Sequence, residues 1–378
     1  MKFFKISSSR FGKGFLEEVM DLETYDLAFY MSLCNKDEID RIKNPRNESD
    51  YLLKLRANVT VEQVRIFRVF LARMQKAGEK WNFNDSFEHK AFNNYLSRIS
   101  FDDVELVKNI PAGLVFCNDP NGRIIKTNYG NIITISESLK YFLYFMTLSF
   151  ASYGNYDVPG DVRWSALKIG LRIMLKSEAL DFDIDPRGEI PDEVHSQTLE
   201  YVDQQLLFIV AHEYSHYFLG HMGDPNLIGD VEHNILEGVG NKIPKYYTHD
   251  QQQEFDADID AIERQCIPPA LIHGMITSAT FFFSYLELLR NVNDQIAPSF
   301  NRVKTHPDPL DRIDNLINHF SERCDIDFEN IEIIKKNIGI LIPLIQEDVA
   351  VNIESWEEYG SVYLGGWRGK VLIDRVDY

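Results

Sequence analysis

The residues most suited to chemistry stand together in the middle of the chain. Within the stretch Leu206–His221, His212, Glu213 and His216 form the pattern H-E-x-x-H, and an apolar run leads straight into it. Residues four apart share one face of a helix, so His212 and His216 can offer two imidazoles to a single metal ion. Glu213, one step round, lies beside that ion and can polarise a water bound to it. The chemistry this spacing suits is metal-assisted hydrolysis, provided that a further ligand arrives from elsewhere in the chain.

A catalytic zinc usually takes three protein ligands and keeps a fourth position for water. In the extended metzincin pattern a glycine and another histidine follow at set positions. Those positions hold Leu219 and Met222 here, with Gly220 and His221 each displaced by one. The pattern fails, and His221 is expected at the helix end, where its ring suits the dipole. Glu254 and Asp258, spaced i, i+4, offer an alternative. Glu254 can complete a His₂Glu set, and Asp258 can accept the spare ring N–H of a ligating histidine. Glu232 and Glu237 are reserve ligands, whereas Asp256, Asp260 and Glu263 read as solvated acids. Downstream, His306-Pro307 leads into a helix start, from which the His306 imidazole can reach a cleft and stabilise an oxyanion. Arg312 can pair with Glu254 and steady it.

Helices must carry these groups. The motif helix is expected from about Glu193 to Leu219, with Gly220 as its stop. Thr248 and Gln251 form a capping-box signature for the helix that bears Glu254, which Pro268 and Pro269 end. Asp308 and Pro309 open the next helix. Upstream, Leu114–Cys117 and Asn131–Ile135 read as strands, with turn chemistry at Asn118–Gly122 between them. Ser136 then starts an apolar helix. Val61, Val64, Phe67, Phe70, Leu71 and Met74 mark an amphipathic helix, with Arg65, Arg68, Arg73 and Lys76 on its solvated face. Asp181–Pro191 reads as an exposed connection, and Gly365-Gly366 as the turn of a small C-terminal β-hairpin. The organisation expected is an N-terminal helical region over 1–110, a core over 111–325 and a C-terminal helix plus hairpin over 326–378.

Composition narrows the function classes. The 378 residues are 44% hydrophobic and 26% charged, ordinary for a globular protein. Lys plus Arg total 39 against 58 Asp plus Glu, a formal charge of −19, which repels phosphate backbones and anionic lipid. Nucleic acid is therefore not an expected partner. Cys34, Cys117, Cys266 and Cys324 show no C-x-x-C pair, which suggests reduced thiols rather than a disulfide framework. The N-terminus lacks the apolar core of a signal peptide, and the longest apolar stretch, Pro268–Leu289, reads as a buried helix. A cytoplasmic protein without a membrane span is the expectation.

In their order, H-E-x-x-H, then Glu254-x-x-Ala257-Asp258, then Thr305-His306-Pro307 through Arg312-Ile313, the motifs resemble those of M48-like gluzincin metallopeptidases. Together with Asn131–Leu139 they are also similar to soluble Lit-type phage-exclusion peptidases. The resemblance covers about Gly130 to Leu316, and the chain lacks the membrane helices of many M48 members. It implies an α+β, mostly helical, zincin-like core with a short sheet whose edge strand flanks the active-site helix. It further implies an endopeptidase with one catalytic Zn²⁺ on His212, His216 and Glu254, Glu213 as base and His306 at the oxyanion. Asn131, Ile132, Ile133, Thr134 and Ile135 would be the edge on which an extended protein or peptide substrate lies. Two other readings share the residues: a non-proteolytic regulator on the same fold, and a regulatory peptidase that cleaves repressors.

Overall fold

The computed structural model describes residues 26–116, 122–154, 156–221, 251–296 and 307–369. Helices α1 (Asp26–Leu33), α2 (Lys36–Lys43), α3 (Glu48–Glu62) and α4 (Val64–Ala77) come first. α2 starts on a capping box in which Asn35 and Glu38 each accept the other's backbone N–H. Extended backbone at Gln63 separates α3 from α4, so the stripe expected from Val61 to Met74 is split and Val64 is exposed at the break. The basic residues of α4 do not all form a solvated face. Arg65 is buried against Asp181, and Arg73 pairs with both Glu137 and Asp183.

After α5 (Lys90–Leu96) and α6 (Phe101–Val107) comes a three-stranded sheet: β1 (Ala112–Val115), β2 (Gly122–Thr127) and β3 (Gly130–Ser136), in the order β1-β3-β2. β3 pairs in parallel with β1, Ile133 opposite Ala112, and antiparallel with β2, Ile135 opposite Gly122. The tight reversal between β2 and β3 puts Gly130 at φ +132°, a conformation that glycine adopts without strain. This topology corrects one expectation. Asn131–Ile135 is the central strand, with backbone hydrogen bonds on both sides and Ile132, Ile133 and Ile135 fully buried, so it has no open edge for a substrate. On the outer side of β1, the Arg56 Nε of α3 donates to the Leu114 carbonyl at 2.9 Å. The edge strand beside the motif helix is β2, which pattern reading left unassigned.

The remaining helices are α7 (Glu137–Phe150), α8 (Gly160–Met174), α9 (Asp192–Phe218), α10 (Gln251–Glu263), α11 (Pro269–Ile296), α12 (Pro309–Phe320), α13 (Phe328–Val351) and α14 (Glu354–Glu357). The architecture is α+β, mostly helical and zincin-like, with the small sheet beside the motif helix. That helix, α9, packs against α5, α7, α10, α11 and β2. Every residue from Gln205 to His216 is buried, which explains why the apolar run there shows no single stripe. Burying each Leu, Ile, Val or Phe side chain of this run stabilises the fold by about 1.5–3 kcal/mol. The apolar stretch from Pro268 lies in α11 and contributes Met275, Ile276, Phe283 and Leu288 to the core. Among the described residues no helix is long and apolar enough to cross a membrane. Most buried apolar side chains among the described residues join one cluster that runs from Tyr30 to Leu364.

Two connections differ from expectation. Asp181–Pro191 is not exposed throughout, because Phe182, Asp185 and Arg187 are buried. Arg187 contacts Glu178 at 3.1 Å, Asp181 at 2.6 Å and Asp185 at 3.1 Å, while Arg172 donates to Glu178 at 3.0 Å. Buried charges persist only when paired, and here the acids that suggested exposure are the partners. The same Glu178 carboxylate accepts the Val362 N–H, and Arg172 donates to the Ser355 and Glu358 carbonyls, so the cluster clamps the C-terminal segment. At Gly365-Gly366, where a hairpin turn is expected, Gly365–Trp367 is one 3₁₀ turn, and 370–378 of the expected return strand lie outside the described residues. The glycines allow close approach to α8, where the Gly366 N–H donates to Asp161 at 2.6 Å and a Cβ on Gly365 would lie 2.3 Å from the same carboxylate.

Candidate metal centre

α9 carries His212, Glu213 and His216 in its last two turns and stops at Phe218. Gly220, at φ +69°, reverses the chain, and the His221 N–H returns to the His216 carbonyl at 2.9 Å. α10 runs alongside and brings Glu254 and Asp258 inward at 1% and 0% exposure, while α12 adds Arg312. Asp256, Asp260 and Glu263 lie elsewhere on α10, bonded to Gln252, Arg264 and the His319–Arg323 pair respectively.

Three donor groups converge. His212 Nε2 and His216 Nε2 stand 3.1 Å apart, and the Glu254 carboxylate reaches them at 3.5 and 3.6 Å through its separate oxygens. Bonds of about 2.0–2.1 Å in a tetrahedron set ligand atoms about 3.3 Å apart, so these edges bracket the value for zinc. The convergence leaves one buried point facing two imidazole nitrogens and a carboxylate, and among the described residues no other His, Cys, Asp or Glu group of this kind occurs. The donors fit one Zn²⁺, and the set is that of a catalytic zinc enzyme of hydrolytic type.

The ligands are braced from behind. His212 Nδ1 lies 2.9 Å from Asp258 Oδ1. Arg312 grips the same carboxylate with two nitrogens, Nε at 2.7 Å and Nη2 at 2.5 Å, and places Nη1 3.3 Å from Glu254. Its guanidinium lies 4.4 Å from the centroid of the Phe283 ring, a cation–π contact on the apolar side. Sequence reading paired Arg312 with Glu254; its main partner is Asp258. Burial alone would lower His212, but hydrogen bonding and charge from Asp258 and Glu254 outweigh it and raise the imidazole to about 10. The two carboxylates thus favour the protonated ring, and a divalent ion bound at His212 would have to displace that proton.

Two neighbours escaped sequence reading. Gly122, at the start of β2, packs so closely on Glu213 that a Cβ would lie 2.5 Å from Glu213 Cγ. His221 stands beyond the helix end as expected, yet its ring turns back so that Nδ1 lies 3.1 Å from His216 Nδ1. Burial lowers its imidazole below the usual histidine range. The displaced histidine that broke the metzincin pattern was the available signal.

His306, Thr305, Thr248 and the reserve ligands Glu232 and Glu237 lie outside the described residues. Immediately after His306 the chain is anchored, since Pro307 is buried and Arg290 of α11 binds the Asp308 carboxylate. No protein-family model, curated protein or solved structure matches the chain significantly.

Proposed function

We propose that the chain is a gluzincin-type zinc endopeptidase that hydrolyses a peptide bond in an intracellular protein substrate. The observation that carries this reading is the convergence of His212, His216 and Glu254 on one buried point, with Glu213 next to His212 in sequence. Zinc bound there would supply Lewis acidity to the scissile carbonyl and make a water acidic enough to attack near neutral pH. Glu213 takes the proton of the attacking water and delivers it to the leaving amine. Its position beside Gly122 places that carboxylate next to the first residue of β2. The substrate then adds to β2 as an extended strand, with backbone pairing for affinity and alternate side chains for selection. This moves the substrate edge from β3, as first expected, to β2. His306 donates to the oxyanion from the segment that Pro307 and Asp308 anchor.

The order of the motifs supports an M48-like chemistry, and the likeness to Lit-type peptidases supports a role in bacterial defence through cleavage of a cytoplasmic host protein. The test compares new protein N-termini in cells expressing wild type with those expressing Glu213→Gln. The expected result is a discrete set of cleavages that vanishes in the variant while zinc content stays at one per chain. Full cleavage by Glu213→Gln would sink the mechanism.

A further inference from the structure

Of the two histidines in the zinc set, His212 rests on a carboxylate, with Asp258 Oδ1 2.9 Å from its Nδ1. His216 has a different neighbour at the corresponding atom: His221 Nδ1, 3.1 Å away, with ring centroids 5.3 Å apart and planes inclined by 61°. A histidine whose Nε2 faces a metal carries its remaining proton on Nδ1, and that proton needs an acceptor in a fixed direction. We propose that His221 is the positioning residue for His216, accepting its Nδ1–H through a neutral imidazole whose own proton sits on Nε2. The inference rests on the zinc-peptidase reading above and assigns to His221 a role beyond ending the helix.

Local backbone geometry delivers the ring. Gly220 takes φ +69°, which turns the chain back over the last turn of α9, and the His221 N–H closes that turn on the His216 carbonyl at 2.9 Å. The same residue thus bonds His216 twice, once by backbone and once by side chain. The backbone bond does not depend on the side chain, so removing the ring leaves the helix stop in place. A neutral acceptor also suits the charge balance. Glu213, Glu254 and Asp258 already bring three buried carboxylates to the site beside the Arg312 guanidinium, and a further carboxylate behind His216 would add to that negative charge.

The experiment measures zinc affinity by competition with a chromophoric chelator, alongside thermal unfolding of the zinc-free protein. Wild type, His221→Ala and His221→Asn are compared. The asparagine Oδ1 lies the same number of bonds from the backbone as histidine Nδ1, so it restores the acceptor without the ring. The expected result is zinc held about 10–100-fold more weakly by His221→Ala, with zinc-free unfolding unchanged and affinity recovered in His221→Asn. Equal zinc affinity in all three proteins would overturn the role of His221 and leave the metal centre standing. A parallel loss of zinc-free stability in both variants, without rescue, would overturn it in favour of a helix-ending role alone. Failure of the wild type to bind one zinc would overturn the underlying reading together with this one.

Discussion

Gly122, the first residue of β2, lies against Glu213 so tightly that a Cβ there would meet Glu213 Cγ at 2.5 Å and Cδ at 2.8 Å. The edge strand and the candidate base are therefore in direct contact, with no room for a side chain between them. In Gly122→Ala the atoms in the way belong to the buried Glu213 and Ile135 side chains, so these must shift. Glu213 is then displaced from the place where the proposed mechanism needs it. Misplacing a catalytic group by about 1 Å can cost about 100-fold, so kcat should fall by that order while zinc content holds at one per chain. The assay is turnover of a peptide recovered from the N-terminus mapping. Undiminished kcat in a zinc-replete Gly122→Ala protein would remove Glu213 from the mechanism.

Among the described residues, Arg312 is the guanidinium that lies between two almost wholly buried acids, Glu254 and Asp258. Its bidentate grip on Asp258 and its 3.3 Å contact with Glu254 mean that removing it takes a buried cation away from both carboxylates. Arg312→Met should lower the stability of the zinc-free protein by about 3–5 kcal/mol, the usual cost of breaking a buried pair from one side. Arg312→Lys should recover only part of this, since a point charge cannot bind one carboxylate through two parallel bonds. Zinc loading should narrow the gap, because the ion neutralises Glu254 itself. Denaturant unfolding with and without zinc measures each term, and a loss that zinc leaves unchanged would show that Arg312 braces only Asp258.

What could be read from residues alone was local. His212 and His216 were legible because i, i+4 spacing fixes their shared face, and Glu254 and Asp258 because the same spacing recurs one helix later. Strand order was not legible. Gly122 looks like the end of a turn until β3 pairs with it, and without β2 the central strand reads as an edge. Charge partners far apart in sequence were equally hidden. Nothing in the spacing of Arg65 and Arg73 shows their counterions, which are Asp181 for Arg65 and Glu137 with Asp183 for Arg73. Nor does the spacing of His221 say that a left-handed Gly220 folds its ring back onto His216.

Zinc uptake should carry a measurable proton. In the metal-free chain the His212 imidazole is raised to about 10, with Asp258 and Glu254 outweighing the effect of burial, so at neutral pH it holds a proton that zinc must displace. Adding zinc near pH 7.5 in weak buffer should therefore release about one proton from His212 per ion, read with a pH-indicator dye. Apparent zinc affinity should climb by up to about tenfold per pH unit below about 10 for the same reason. The stability of the zinc-free chain runs the other way. A histidine raised above its unfolded value of about 6.5 adds stability that is fully present below that pH. That stability is lost as pH rises through about 10. Asp258→Asn removes the negative charge beside Nδ1 while keeping an acceptor, so both the proton release at pH 7.5 and the alkaline loss of zinc-free stability should shrink. Zinc binding without proton release, at a pH-independent affinity, would mean that His212 is already neutral in the metal-free site and that its two carboxylates do not hold it as a cation.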